Sequence, residues 1–148
     1  MAERPDQAAF SSCIIPVRWG DMDAYGHVNN TVYFRYFEEA RVQLIEKLLE
    51  DQRIAASQFR PVIVTASCTF LRPVHYPDTV RVDCFLNQPG RSSFMVHYAL
   101  FSSTEPEHPA CTGESKVVWT DHETGRSVAL PETIRALCGS REGFQLSN

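Results

Sequence analysis

The chain has 148 residues, 43% of them apolar, and a formal charge of -4 at pH 7. That size and composition suit one soluble globular domain with a substantial core. With no run of Lys and Arg, the chain offers no basic field to gather nucleic acid or an anionic membrane, and neither is expected as a partner.

The cysteines Cys13, Cys68, Cys84, Cys111 and Cys138 are odd in number and scattered, with no CxxC pair. They read as buried, reduced thiols rather than a zinc or redox site. The opening MAERPDQAAF carries acids and a proline where a secretory signal needs a continuous apolar stretch, and no long apolar segment follows. A cytoplasmic location is the expectation.

In chain order, Cys13–Trp19 is rich in β-branched and aromatic residues and reads as a strand, with Pro16 marking an edge or bulge. Gly20–Asn29 lacks periodicity, and either Asn29 or Asn30 suits the N-cap of a helix starting there. From Thr31 to about Glu50, Tyr33, Tyr36, Phe37, Ala40, Leu44 and Leu48 recur at helical spacing, opposite Glu38, Glu39, Arg41, Glu46 and Lys47. One long amphipathic helix is predicted.

From Pro61 the period becomes two, with Val62, Val64, Ala66, Cys68 and Phe70 on one face of a long strand. Val80–Asn87 and Phe94–Leu100 form a hairpin about Pro89 and Gly90, and Cys111–Asp121 gives another strand. HETGRSVAL reads as a turn with a short strand behind it, and Thr133–Cys138 as a final short helix.

The chain is therefore read as a single domain over 1–148, with flexible tails at 1–10 and 139–148. The class is α+β, an antiparallel sheet of five or six strands with one long helix. A single helix cannot shield both edges of such a sheet, which favours pairing between copies.

The block WGDMDAYGHVNN at the start of the helix concentrates the polar chemistry. Asp21, Asp23 and Gly26 begin like a calcium loop, but Tyr25 and Val32 stand where that loop needs oxygen ligands. Asp21, Asp23 and His27 would give a transition metal three ligands with no further His or Cys at a characteristic spacing, so no metal is expected. Short polar side chains also serve turns and caps, which suits Asp21, Asn29 and Asn30. Asp23, flanked by Tyr25, His27 and an aromatic helix face, is the better candidate for chemistry. A carboxylate beside a helix N-terminus suits acyl transfer, because unpaired N–H groups there can polarise a carbonyl. His75, His97, His108 and His122 fall into no recognisable pattern.

This block, the tyrosine-rich helix with FEEAR, and the segments FLRPVHYPD and GRSSF resemble the 4-hydroxybenzoyl-CoA thioesterase family of hotdog-fold acyl-CoA thioesterases, over about Ile14 to Leu137. The resemblance implies a hotdog fold whose sheet wraps around the central helix, in a homodimer or homotetramer. It implies hydrolysis of an acyl-CoA or acyl carrier protein thioester, with no cofactor beyond the coenzyme A of the substrate. The second acid of GDxD, Asp23, would be nucleophile or general base. Backbone N–H groups around Val28, Asn29 and Asn30 would polarise the thioester carbonyl, and His27 would orient water or substrate. Arg91, Ser92 and Ser93 would meet coenzyme A phosphates across the subunit boundary. A hotdog dehydratase or hydratase, and a noncatalytic acyl-thioester binder, are the competing readings. The acyl group is not specified by the sequence.

Overall fold

The structure is a computed structural model, and it describes residues 8–139; the rest of both expected tails lies outside the described residues. The elements are β1 (Ser11–Pro16), a 3₁₀ turn (Trp19–Asp21), α1 (Asn30–Asp51), β2 (Phe59–Phe70), β3 (Thr79–Asn87), β4 (Ser93–Ser102), β5 (Cys111–Asp121) and α2 (Glu132–Arg135). The five strands make one antiparallel sheet in the order β1-β3-β4-β5-β2. Phe10 and Gly139, placed in the tails by sequence, both hydrogen-bond β3, Phe10 N–H to the Cys84 carbonyl and Gly139 N–H to the Leu86 carbonyl.

The helical stripe lies where its period puts it, since Tyr33, Tyr36, Phe37, Ala40, Leu44 and Leu48 are the buried residues of α1. They cover Val80, Val82, Cys84 and Leu86 of β3, Phe94, Val96, Tyr98 and Leu100 of β4, and Cys111, Val117 and Trp119 of β5, all in one apolar cluster. The Phe37 side chain of α1 fills the space over Gly113 of β5. Phe37 stacks on Tyr98 with ring centroids 4.6 Å apart, and a Cβ at Gly113 would lie 2.7 Å from the Phe37 ring and 3.0 Å from the Ser67 carbonyl oxygen. The Tyr98 hydroxyl donates to Ser115 Oγ and accepts from Arg41, each at 3.1 Å, so its burial leaves no orphaned polar atom.

Three local readings need correction. The single-face alternation expected along β2 breaks at Val64, where the register against β5 shifts between Ile63 and Thr65. The extra residue puts Val62, opposite Val118, and Ala66, opposite Ser115, on different faces. At the β3–β4 hairpin the positive φ falls on Gln88 at 51°, not on Gly90; a Cβ at Gly90 would lie 2.7 Å from Ser93 Oγ, which would have to rotate away. The strand expected behind HETGRSVAL is only a bridge between Thr120 and Ser127, because Leu130 N–H leaves β5 to bond the Arg91 carbonyl.

All five cysteines are free; Cys13, Cys84 and Cys111 are buried and Cys68 and Cys138 half-buried. Burial pushes every one of these thiols up, Cys84 to about 12 and Cys138 to about 11. Among the described residues no helix is long and apolar enough to cross a membrane.

Gly113→Ala forces Phe37 or the β2 backbone to move and lowers stability by about 1–3 kcal/mol. Urea denaturation measures this, and an unchanged midpoint would show that the Phe37 contact is not a constraint.

Candidate active site

The candidate loop runs from the end of β1 to the cap of α1. Val17 N–H bonds the Asp78 carbonyl at 2.9 Å, and the 3₁₀ turn then reverses the chain. Met22 and Val28 pair as an antiparallel bridge, with Asp23 N–H on the His27 carbonyl at 2.8 Å. Residues 23–27 therefore form a tight hairpin. Gly26 takes φ +82° at its tip, a conformation that favours glycine.

Within this loop the two carboxylates have different surroundings. Asp21 Oδ2 accepts from Tyr36 Oη at 2.7 Å and from Arg18 N–H at 2.9 Å, which ties the loop to the buried face of α1. Burial, and then the hydrogen bond to Asp21, push the Tyr36 phenol far up, so it remains a protonated donor. Half-buried Asp23 accepts from Tyr25 N–H at 2.8 Å and His27 N–H at 3.4 Å, both on Oδ1. Its Oδ2 has no partner among the described residues.

The backbone donors at the start of α1 are almost all used. Val28 N–H bonds the Val74 carbonyl at 2.8 Å and Asn29 N–H the Asp21 carbonyl at 2.9 Å. Asn29 is the N-cap, its side chain accepting from Thr31 N–H at 3.0 Å. Asn30 N–H is left without a partner among the described residues. Of the three amides expected to polarise a carbonyl, only this one is unpaired.

A cavity of about 240 Å³ opens at this point, lined by His27, Val28, Asn30, Tyr33, Phe70, Leu71, Arg72 and Pro73. Asp23 is not in its wall but is joined to it through His27. Tyr33 belongs to the core, as its spacing suggested, and also to this wall, meeting Phe70 edge-on at 5.2 Å. Burial, with a smaller contribution from Cys111, pushes its phenol up to about 12.

The Thioesterase-like superfamily matches the chain over residues 17–137. The chain belongs to this superfamily. A solved structure of the PA2801 protein of Pseudomonas aeruginosa, described as a candidate thioesterase, matches with TM-score 0.76 and 43% identity, over 86% of this chain and 97% of that one. A thioesterase of Thermus thermophilus, solved with coenzyme A and zinc, gives TM-score 0.68 and 31% identity over 85% of this chain and 94% of that one. The long-chain acyl-CoA thioesterase FadM of Escherichia coli is 28% identical, over 82% of this chain and 91% of its own. The fold is thus the hotdog form of α+β, and the protein is a thioester hydrolase by class.

This thioesterase-like chain does not gather every expected site residue. Asp23, His27, Val28, Asn29 and Asn30 share one loop and helix end. Arg91, Ser92 and Ser93 lie in the β3–β4 hairpin, beside Trp119 and Leu130, at the opposite end of the sheet. A single chain therefore does not bring the two groups together. His75, which sequence left unassigned, sits against His27 with ring centroids 4.7 Å apart. Among the described residues no group of three or more His, Cys, Asp or Glu is arranged to hold a metal ion.

Removing the phenol in Tyr36→Phe leaves a half-buried Asp21 oxygen with a single donor. The expected loss is about 1–2 kcal/mol of stability, read from thermal unfolding, and parental stability would show that the Asp21 contact contributes nothing.

Proposed function

We propose that the protein hydrolyses acyl-CoA thioesters, with Asp23 as nucleophile or general base and Asn30 N–H polarising the thioester carbonyl, and that it belongs to the 4-hydroxybenzoyl-CoA thioesterase branch of its superfamily. The observation that carries this reading is that Asp23 is held only by two amides of its own hairpin, with Oδ2 uncommitted, near one uncommitted helix N-terminal amide, whereas Asp21 is tied to the buried Tyr36 phenol. The helix end adds a positive dipole to that single donor.

In the nucleophilic course Asp23 Oδ2 bonds to the acyl carbon and the C–S bond breaks. Coenzyme A leaves as thiolate and takes a proton, and water then opens the mixed anhydride to the free acid and the carboxylate. In the general-base course Asp23 takes a proton from water as the water attacks, and the same two products leave. Coenzyme A as the carrier is supported by the 31% identical thioesterase solved with it and by the name of the Escherichia coli relative.

A cavity of about 240 Å³ is small beside the 300–1,000 Å³ typical of ligand sites. It holds part of an acyl-CoA, and the remainder falls to a second copy of the chain, whose Arg91, Ser92 and Ser93 would meet the phosphates. The surface for pairing is the free edge of β2, where Val62, Val64 and Phe70 are exposed. The free thiols suit a reducing compartment, the cytoplasm.

The direct test is thiol release from a panel of aliphatic and aromatic acyl groups, each carried on coenzyme A and on acyl carrier protein. Asp23→Asn is expected to lose about 10²–10⁴-fold in turnover with an unchanged circular dichroism spectrum. Full turnover by the folded variant would remove Asp23 from the reaction. For the assembly, Val64→Lys places a charge on the β2 edge and is expected to reduce the mass in light scattering to that of one chain. A mass equal to that of the parent protein would exclude this edge as the interface.

A further inference from the structure

The segment after β2 backs the Asp23 loop at two points. The Val74 carbonyl accepts from Val28 N–H at 2.8 Å, and His75 Nδ1 lies 3.1 Å from the Gly26 carbonyl oxygen. A carbonyl oxygen only accepts, so His75 Nδ1 carries a proton and donates it. The same ring meets His27 edge-on, with planes 76° apart.

The Gly26 carbonyl belongs to the peptide unit whose N–H is that of His27, and His27 N–H is directed at Asp23 Oδ1 over 3.4 Å. His75 therefore heads a chain of two hydrogen bonds joined by one peptide group. Its Nδ1–H donates to the Gly26 carbonyl, and His27 N–H donates to the carboxylate. Donation into a peptide carbonyl polarises the N–H on its other side and strengthens the next bond.

The hairpin fixes both ends of this peptide only in part. Asp23 N–H holds the His27 carbonyl and Gly26 N–H, at 3.1 Å, holds the Asp23 carbonyl. Gly26 itself, at φ +82°, has no side chain to restrain its carbonyl. The contact that sets the direction of that carbonyl comes from His75.

We infer that His75 is a positioning residue for Asp23, acting through the Gly26–His27 peptide. It holds the hairpin tip so that Asp23 Oδ1 stays engaged and Oδ2 stays turned to the reaction. This rests on the reading of Asp23 as nucleophile or general base. His75 itself touches neither the acyl group nor the attacking atom.

Two substitutions separate the donor from the ring. His75→Phe keeps an aromatic ring against His27 and removes the Nδ1–H donor; His75→Asn puts an amide N–H near the position of Nδ1 and removes the ring. With an acyl-CoA that the parent protein hydrolyses, His75→Phe is expected to lower kcat about three- to tenfold with KM within twofold, and His75→Asn to keep kcat within about twofold. In ¹⁵N–¹H spectra the His27 amide proton should move upfield in His75→Phe, which keeps an aromatic ring in place. Parental kcat in His75→Phe, an equal loss in both variants, or an unmoved His27 amide in His75→Phe would each overturn the inference. The amide resonance needs no turnover, so it still decides the hydrogen-bond chain if no acyl-CoA is hydrolysed and the reading of Asp23 fails on its own.

Discussion

The height of α1 above its sheet governs the rest of the structure. It is set where the Phe37 ring lies on Tyr98 and over Gly113, a position at which any side chain would collide with that ring. An aromatic stack over a glycine can neither be compressed nor slid along the strand without opening a void in a close-packed core. Phe37 is about two helical turns from the first residue of α1. The contact therefore also locates Asn29 and Asn30, and with them the loop that must reach Asn29 from β1.

The loop then gives unequal work to two acids only two positions apart. Asp21 ends a 3₁₀ turn, where one of its oxygens is reached by both a backbone amide and a buried phenol, and that pair of bonds holds the chain to α1. Asp23 begins a hairpin whose tip amides engage one of its oxygens and spare the other. The half-buried position of both makes this division meaningful, because a carboxylate removed from water either finds donors or retains reactivity. The same economy limits the helix end. Capping by Asn29 and the bond to Val74 satisfy the neighbouring donors and leave a single amide to meet an incoming oxygen.

The range of each signal determines how much of the fold and the site was legible in the sequence. The stripe from Tyr33 to Leu48 is a local repeat, and it gave the helix, its buried face and the class of fold. The contrast between Asp21 and Asp23 was visible in outline, because a turn needs one acid and the block holds two. Whether Asn29 or Asn30 caps the helix was open, since both are short amides and the choice depends on the path of the loop. The Val64 bulge left no mark, because one inserted residue in a run of β-branched side chains changes no composition. The occupied amides of Val28 and Asn29 were hidden for another reason, as their acceptors are backbone carbonyls that any residue could supply. His75 reaches His27 only through the turn after β2, a distance in sequence over which no periodicity operates.

The five thiols have a practical side that is separate from the fold. With a pKa of about 12, the Cys84 thiol is ionised in only about one molecule in ten thousand at pH 8, and the other four are shifted in the same direction. Thiolate is the species that attacks disulfide reagents and peroxides. Cys84 is thus a slow reactant toward both. A small thiol freed in its presence, solvated and with an ordinary pKa, outruns it to a chromogenic disulfide, so product and this buried cysteine remain kinetically distinct in the same cuvette.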